Sequence, residues 1–330
     1  MILSPPRRLA RLALAGLAAV LAAAPAAAQR AERFTLDGRS ATVHNLAGVV
    51  TVAAGTGSAV VVEVTRGGPD AARLRVTREG GEVRVVYPAG PVVYPAMGAR
   101  ARSTVGVRRD GRLGGGMSSQ QVTVAGAGTG TRAWADVRVL VPAGRAVEVR
   151  QGVGRVSVAN VNGRVTVNAH AAAVDVRDTR GPLAVETRSG AVTVANVRGG
   201  TVDLAARSGS IRGTGIRAEA LEAIVGSGSI NLAGVAAPEV LARTGSGSVD
   251  LGLASDADLE IGTGSGAVTV TLPRTFGAQM EIETGNGAIT VDGPVSGRRA
   301  TRTTFQGRVG DGRGSLEIET GSGAVRIRRS

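Results

Sequence analysis

Corners recur in this chain at an almost constant interval, and that interval limits what the chain can fold into. The phrase LEIGTGSGAVTV starts at Leu259, MEIETGNGAITV at Met280 and LEIETGSGAVRI at Leu316. Each is an alternating run, a small-residue turn and a second alternating run. In the last copy Leu316, Ile318 and Thr320 share one parity and Glu317 and Glu319 take the other; the alternation resumes at Val325 and Ile327. A period of two marks a half-buried strand. Degenerate copies run upstream from Val240, Leu221, Val202, Leu183, Val165 and Val147, with starts stepping by 18 or 19 residues.

A second register agrees with the first. Asn160, Asp178 and Asn196 open turns that close at Gly163, Gly181 and Gly199, again 18 apart. The other corner carries paired glycines: Gly245 and Gly247, Gly264 and Gly266, Gly285 and Gly287, Gly321 and Gly323. Glycine tolerates positive φ, so it joins two short strands sharply without a Cβ penalty. A meander of hairpins would also alternate, but it gives no reason for two corners to repeat at one interval. Stacked coils do, because one unit cannot bury its apolar face alone. The expected fold is therefore all-β: a β-solenoid of coils about 18 to 21 residues long, stepping about 4.8 Å along its axis.

Inside such a stack belong Val156, Val158, Val165, Val167, Leu183, Val185, Leu259, Ile261, Met280, Ile282, Ile289 and Val291, by parity. Burial of each is worth roughly 1.5 to 3 kcal/mol, so a thin stack can hold together although aromatics are only 2% of the chain. Thr187, Thr244, Thr263, Thr284 and Thr320 share that parity just before the corner, where their hydroxyls can bond corner backbone. The C-terminal Arg326, Arg328 and Arg329 are expected to keep one end of the stack from pairing with a stranger.

Residues 1 to 28 read as a signal peptide. Arg7, Arg8 and Arg11 form a basic start, Leu12 to Ala24 an apolar run, and Ala26 to Ala28 a small-residue cleavage site. The run is shorter than the roughly 20 residues of a spanning helix, and no later stretch is apolar enough to cross a membrane. The chain is expected to be exported, to the periplasm, the cell surface or the medium. Residues 29 to 142 form an N-terminal region of divergent β-strands, interrupted at about 88 to 132 by a Gly/Arg-rich insertion; residues 143 to 330 form the solenoid, interrupted at about 293 to 314 by a basic loop. Both interruptions are expected to project as loops or hairpins, where function tends to be carried.

Three phrases now occur in a telling order: HNLAGVVTV from His44, VRVLVPAG from Val137, and the NVNGRVTV and TGSGAVTV units downstream. In that order they resemble the bacterial "putative adhesin" family of β-strand-repeat proteins, a domain of unknown function. The likeness covers nearly all of the chain beyond the signal. It implies an exported, non-enzymatic, right-handed parallel β-helical body, and it supplies no catalytic residue to carry over.

Charge and chemistry narrow the function further. There is no cysteine, so neither disulfides nor thiolate metal sites enter. The formal charge of +13 falls to +10 once the signal arginines are gone, leaving 36 arginines against 26 acids. Every basic residue is arginine, which reflects either genomic base composition or affinity for polyanions. The candidate polyanion-binding loops carry Arg100, Arg102, Arg108, Arg109 and Arg112 in the first interruption and Arg298, Arg299, Arg302, Arg308 and Arg313 in the second. His44 and His170 are the only histidines; both read as surface residues with no nucleophile beside them, and the serines of the GSG corners recur as structural residues do. Glu260, Glu281, Glu283, Glu317 and Glu319 form an outward acidic ladder that reads as solvated charge pairing. No catalytic, cofactor or metal site is expected.

The reading is an exported surface or envelope scaffold whose partner is an envelope component, with anionic polysaccharide or lipopolysaccharide as candidates and no specific nucleic acid. The competing readings are a polysaccharide-active β-helix enzyme and an envelope-stress or regulatory protein-binding component.

Overall fold

A computed structural model of the chain describes residues 31–114 and 118–330. The signal peptide expected at residues 1 to 28 lies outside the described residues. Nine strands precede the regular coils: β1 (Glu32–Leu36), β2 (Ser40–Ala54), β3 (Val60–Gly67), β4 (Arg75–Glu79), β5 (Glu82–Val86), β6 (Val92–Val93), β7 (Arg102–Arg108), β8 (Ser119–Ala125) and β9 (Trp134–Val141). Two long strands follow, β10 (Ala146–Ala159) and β11 (Val165–Arg177), each passing through its corner as one piece. Later coils break in two at the glycine corner: β12 (Leu183–Ser189) with β13 (Val192–Ala195), β14 (Thr201–Ser208) with β15 (Ile211–Thr214), and β16 (Ala220–Ser227) with β17 (Ile230–Val235). Next come β18 (Glu239–Ser246) with β19 (Val249–Leu253), β20 (Asp258–Ser265) with β21 (Val268–Leu272), and β22 (Ala278–Thr284) with β23 (Ile289–Val291). A hairpin, β24 (Ser296–Ala300) and β25 (Thr304–Val309), precedes the final pair, β26 (Gly314–Thr320) and β27 (Val325–Arg329).

Coils stack in parallel and in register. Val147 pairs with Val165, Val165 with Leu183, Leu183 with Val202, Val202 with Leu221, Leu221 with Val240 and Val240 with Leu259. Equivalent residues of successive repeats thus lie above one another, and the fold is the β-solenoid that the spacing requires. Its interior is one aliphatic column, from Val43 and Val147 through Leu204 and Leu251 to Ile318. Ile289 and Val291 are only half-buried, because β23 belongs to the terminal coil and pairs on one edge alone.

Glycine at the corner is a steric requirement. Gly209, Gly228 and Gly247 hold φ of 133°, 136° and 135°, values that side chains avoid. A Cβ on any of them would run into the carbonyl oxygen of the corner glycine one coil below. The threonines before the corner are buried and satisfied: Thr244 Oγ1 donates to the Gly228 carbonyl at 2.8 Å, Thr263 Oγ1 to Gly247 at 3.0 Å and Thr284 Oγ1 to Gly323 at 3.1 Å. The opposite corner turns on Asn160, Asp178 and Asn196, at φ of 58°, 54° and 54°, and then on Gly215 and Gly234. Asn and Asp are the non-glycine residues that best tolerate this region.

The first rung comes from far away in sequence. β2 pairs along its length with β10, from Ser40 opposite Ala146 to Ala53 opposite Ala159. Its other edge is covered by β5 at one half and β9 at the other. β9 continues antiparallel to β3 and β3 to β1, while β5 is flanked by β4.

The C-terminal end departs from sequence order. β26 lies between β20 and β22, so Leu259 pairs with Leu316 and Leu316 with Met280; β27 likewise lies between β21 and β23. Arg326, Arg328 and Arg329 therefore sit on an internal strand and cannot guard the end, contrary to the expectation from their position. The cause is the second interruption. Its strand β25 pairs antiparallel with the outer edge of β22, and β24 pairs with β25, so the returning chain has only the inner edge to occupy.

The first interruption is also structured. β6, β7 and β8 form a separate three-stranded sheet. It does not stand clear of the stack: Val92, Tyr94, Val105, Val107, Leu113 and Val124 share a second apolar cluster with Leu46, Ala47 and Val153 of the first two rungs.

Candidate functional site

Where the small sheet docks, the first rungs carry polar residues inside. Position by position, Asn45 and Gln151 occupy the column that continues through Ala169, Thr187 and Ala206 to Thr244. The Asn45 amide donates to the Ala135 carbonyl at 2.8 Å, the Gln151 amide to Gly48 at 3.0 Å and to Val153 at 2.6 Å, and the Tyr87 hydroxyl to Ala47 at 2.8 Å. Burial pushes the Tyr87 phenol above its ordinary pKa. These bonds satisfy backbone carbonyls at the corner of the first two rungs and in β9, which is structural work.

His44 is not a surface residue: it is 4% exposed, because the small sheet covers it, and its Nδ1 accepts the Leu113 N–H at 3.1 Å. Burial lowers its pKa to about 4, with Glu82 and Glu148 opposing and Arg150 and Arg84 assisting. Beside it, the buried Arg84 faces Glu79, Glu82 at 3.2 Å and Asp110 at 3.4 Å. Arg112 bridges Glu82 at 2.9 Å and Asp110 at 3.0 Å. Burial disfavours the Glu82 and Asp110 carboxylates, yet the bonds and charges of Arg112 and Arg84 outweigh it and hold both below the ordinary range. His170 is half-buried, and burial with the Arg188 charge lowers its pKa. Among the described residues no group of three His, Asp or Glu side chains is placed to hold a metal ion.

The ten expected loop arginines fall into two separate groups. Arg100, Arg102, Arg108, Arg109 and Arg112 belong to the small sheet at the first rungs, whereas Arg298, Arg299, Arg302, Arg308 and Arg313 belong to the cap on β22. At about 4.8 Å per step the stack between them separates the groups by roughly 40 Å. Some are engaged: Arg112 with its two carboxylates, Arg298 over the Phe305 ring at 5.4 Å, Arg308 with Ser296 at 3.4 Å and Arg313 with Asp311 at 3.2 Å. The exposed guanidinium groups of Arg100, Arg102, Arg109, Arg299 and Arg302 face solvent.

The expected acidic ladder exists. Glu260, Glu317 and Glu281 lie side by side on β20, β26 and β22, with Glu319 and Glu283 as a second row. Arg243 pairs with Glu260, and Gln306 donates to Glu281 at 2.9 Å.

A further charged row escaped the sequence reading. At the Asx corner Arg180 pairs with Arg198 and Arg198 with Arg217 in successive coils, all three exposed. None forms an ion pair among the described residues. Like charges rooted one step apart repel by up to about 1 kcal/mol in water, and the one carboxylate lining this corner is Asp178. The signal was present as arginines 18 and 19 apart, but it is faint in a chain whose basic residues are all arginine.

A family model agrees with this architecture. The family model Toastrack DUF4097 matches residues 114–328, in agreement with the β-strand-repeat resemblance read from the phrases. Among solved structures, a "putative cell adhesion protein from Clostridium sporogenes ATCC 15579" aligns over 91% of this chain and 100% of that chain, at 10% identity and a TM-score of 0.22. At that score the likeness carries no argument. No curated protein matches.

Proposed function

We propose, from the premise that the chain belongs to the Toastrack DUF4097 family, that it is an exported, non-enzymatic scaffold of the cell envelope that binds anionic surface polymers. The observation that carries this reading is the placement of positive charge. Among the described residues, arginines without carboxylate partners stand at both ends of the stack and along one corner, although the chain has 26 acids. A rod with basic groups spread over its length engages a polymer at several points at once, and each contact raises the effective concentration for the next. Charge attraction to an anionic surface also speeds encounter.

The test is direct binding of the purified chain to lipopolysaccharide, peptidoglycan and acidic glycans across a salt series. Binding that weakens steadily as salt rises supports the reading; indifference to all three at low salt refutes it. Fractionation with protease shaving of intact cells checks the location. Protection in whole cells and release with the periplasm, accessibility at the surface, or recovery from the medium would each fit export, and recovery with the cytoplasm would not.

A further inference from the structure

We propose that the Asx corner is a seat for a linear acidic polysaccharide, held by Arg180, Arg198 and Arg217 as a ladder of guanidinium forks, one per coil. This rests on the reading that the scaffold binds anionic polymers, and it names the place and the chemistry.

Four observations converge on this corner. The three arginines are fixed in register by their own backbone pairing, Arg180 with Arg198 and Arg198 with Arg217, so their roots advance by one rung of about 4.8 Å. A pyranose ring in an extended chain advances by a similar length, so a chain laid along the corner keeps step with the coils, and the long arginine side chains reach carboxylates that turn from one sugar to the next. The guanidinium group is planar and offers paired N–H donors that match a carboxylate bidentately. The same corner forms a cleft of about 410 Å³ lined by Asn160, Asn162, Asp178 and Asn196 together with Arg180 and Arg198. Amide side chains both donate and accept, as sugar hydroxyls require. The carboxylate on the corner, Asp178, is engaged by the Asn196 amide at 3.1 Å.

A nucleic acid fits less well. Single strands are held by aromatic side chains on which bases stack, and this chain's six aromatics, Phe34, Tyr87, Tyr94, Trp134, Phe276 and Phe305, all lie outside the coils that build the corner. Nor are the three arginines needed for the fold. Their side chains are exposed, while the corner is held by backbone bonds such as Arg180 N–H to Val161 and Gly181 N–H to Arg198.

The experiment measures affinity of the full chain for a linear hexauronate at moderate salt. Its arms are wild type, the triple variant R180A/R198A/R217A, the triple lysine variant R180K/R198K/R217K and the loop variant R298A/R299A/R302A. A single-stranded oligonucleotide of equal charge is the competitor. Loss of at least tenfold in the alanine variant with an unchanged melting temperature, a several-fold loss in the lysine variant and less than threefold loss in the loop variant are expected. Wild-type affinity in the alanine variant overturns the ladder while leaving the scaffold reading intact. Wild type that binds no polyanion at all removes the scaffold reading itself. An oligonucleotide that binds at this corner as tightly as the uronate overturns the polysaccharide assignment.

Discussion

Replacing Gly247 with alanine puts one methyl group into the corner column, and the structure sets the size of the effect. Gly247 holds φ at 135°, in a region where a non-glycine residue costs about 1 to 3 kcal/mol. The new Cβ would also meet the Gly228 carbonyl, which accepts from Thr244 at 2.8 Å while the Gly228 N–H bonds Ser246 at 2.8 Å. Moving that carbonyl weakens a bond worth about 1 kcal/mol. The total is a loss of about 3 kcal/mol. Gly252→Ala is the matched control: its added Cβ would find Ala233 Cα at 3.7 Å, ordinary contact, and its φ is not in the positive range. Urea unfolding followed by circular dichroism measures both, and hydrogen exchange locates the effect at the rungs on either side of Gly247. A Gly247→Ala variant within about 0.5 kcal/mol of wild type, or no more perturbed than Gly252→Ala, would refute the claim that corner glycines exist because coils are stacked one on another.

Two further perturbations probe the junction of the small sheet with the first rungs. His44 titrates near 4 in the folded chain and near 6.5 when unfolded, so between those values the unfolded chain binds the extra proton and stability falls as pH drops through that window. The shift corresponds to at most about 3 kcal/mol; His44→Gln should remove that slope from a pH series of unfolding midpoints, while an unchanged slope would contradict the assignment. Arg84→Ala removes the buried guanidinium that Glu79, Glu82 and Asp110 share; because those carboxylates are partly exposed and Arg112 still bridges two of them, the expected loss is about 1.5 kcal/mol, seen as lost exchange protection in β5 and β7; a neutral effect would show that Arg112 alone holds the cluster.

How much of this could be read from the residues depended on whether the signal was local. The period, the Asx and glycine corners, the inward aliphatics from Val156 to Ile282 and the satisfied threonines all follow from two residue spacings. The order of the last coils does not. Leu259, Met280 and Leu316 begin phrases so alike that each fits any slot in register, and only the hairpin on the outer edge of β22 decides among them. Nor does local pattern reveal that residues 40–54 are the first rung, since their partner β10 follows some 90 residues later. His44 looked exposed because its cover comes from β7 and Leu113, which the glycine- and arginine-rich composition of that stretch disguised as loop. The arginine ladder was legible in principle, at the coil spacing, but had no contrast against an all-arginine background.

The stack of parallel, register-matched coils with its final copy slipped inside is best tested by crosslinking, which the cysteine-free chain makes clean. Glu260 and Glu317 are exposed register partners on adjacent strands, within the Cα separation of about 4.4 to 6.8 Å that a disulfide spans, whereas Glu260 and Glu281 stand two steps apart at about 10 Å. Oxidised E260C/E317C should therefore form an intramolecular disulfide readily and E260C/E281C should not. The reverse pattern would mean that the coils pile up in sequence order, and crosslinking of neither would mean that these strands are not stacked at all.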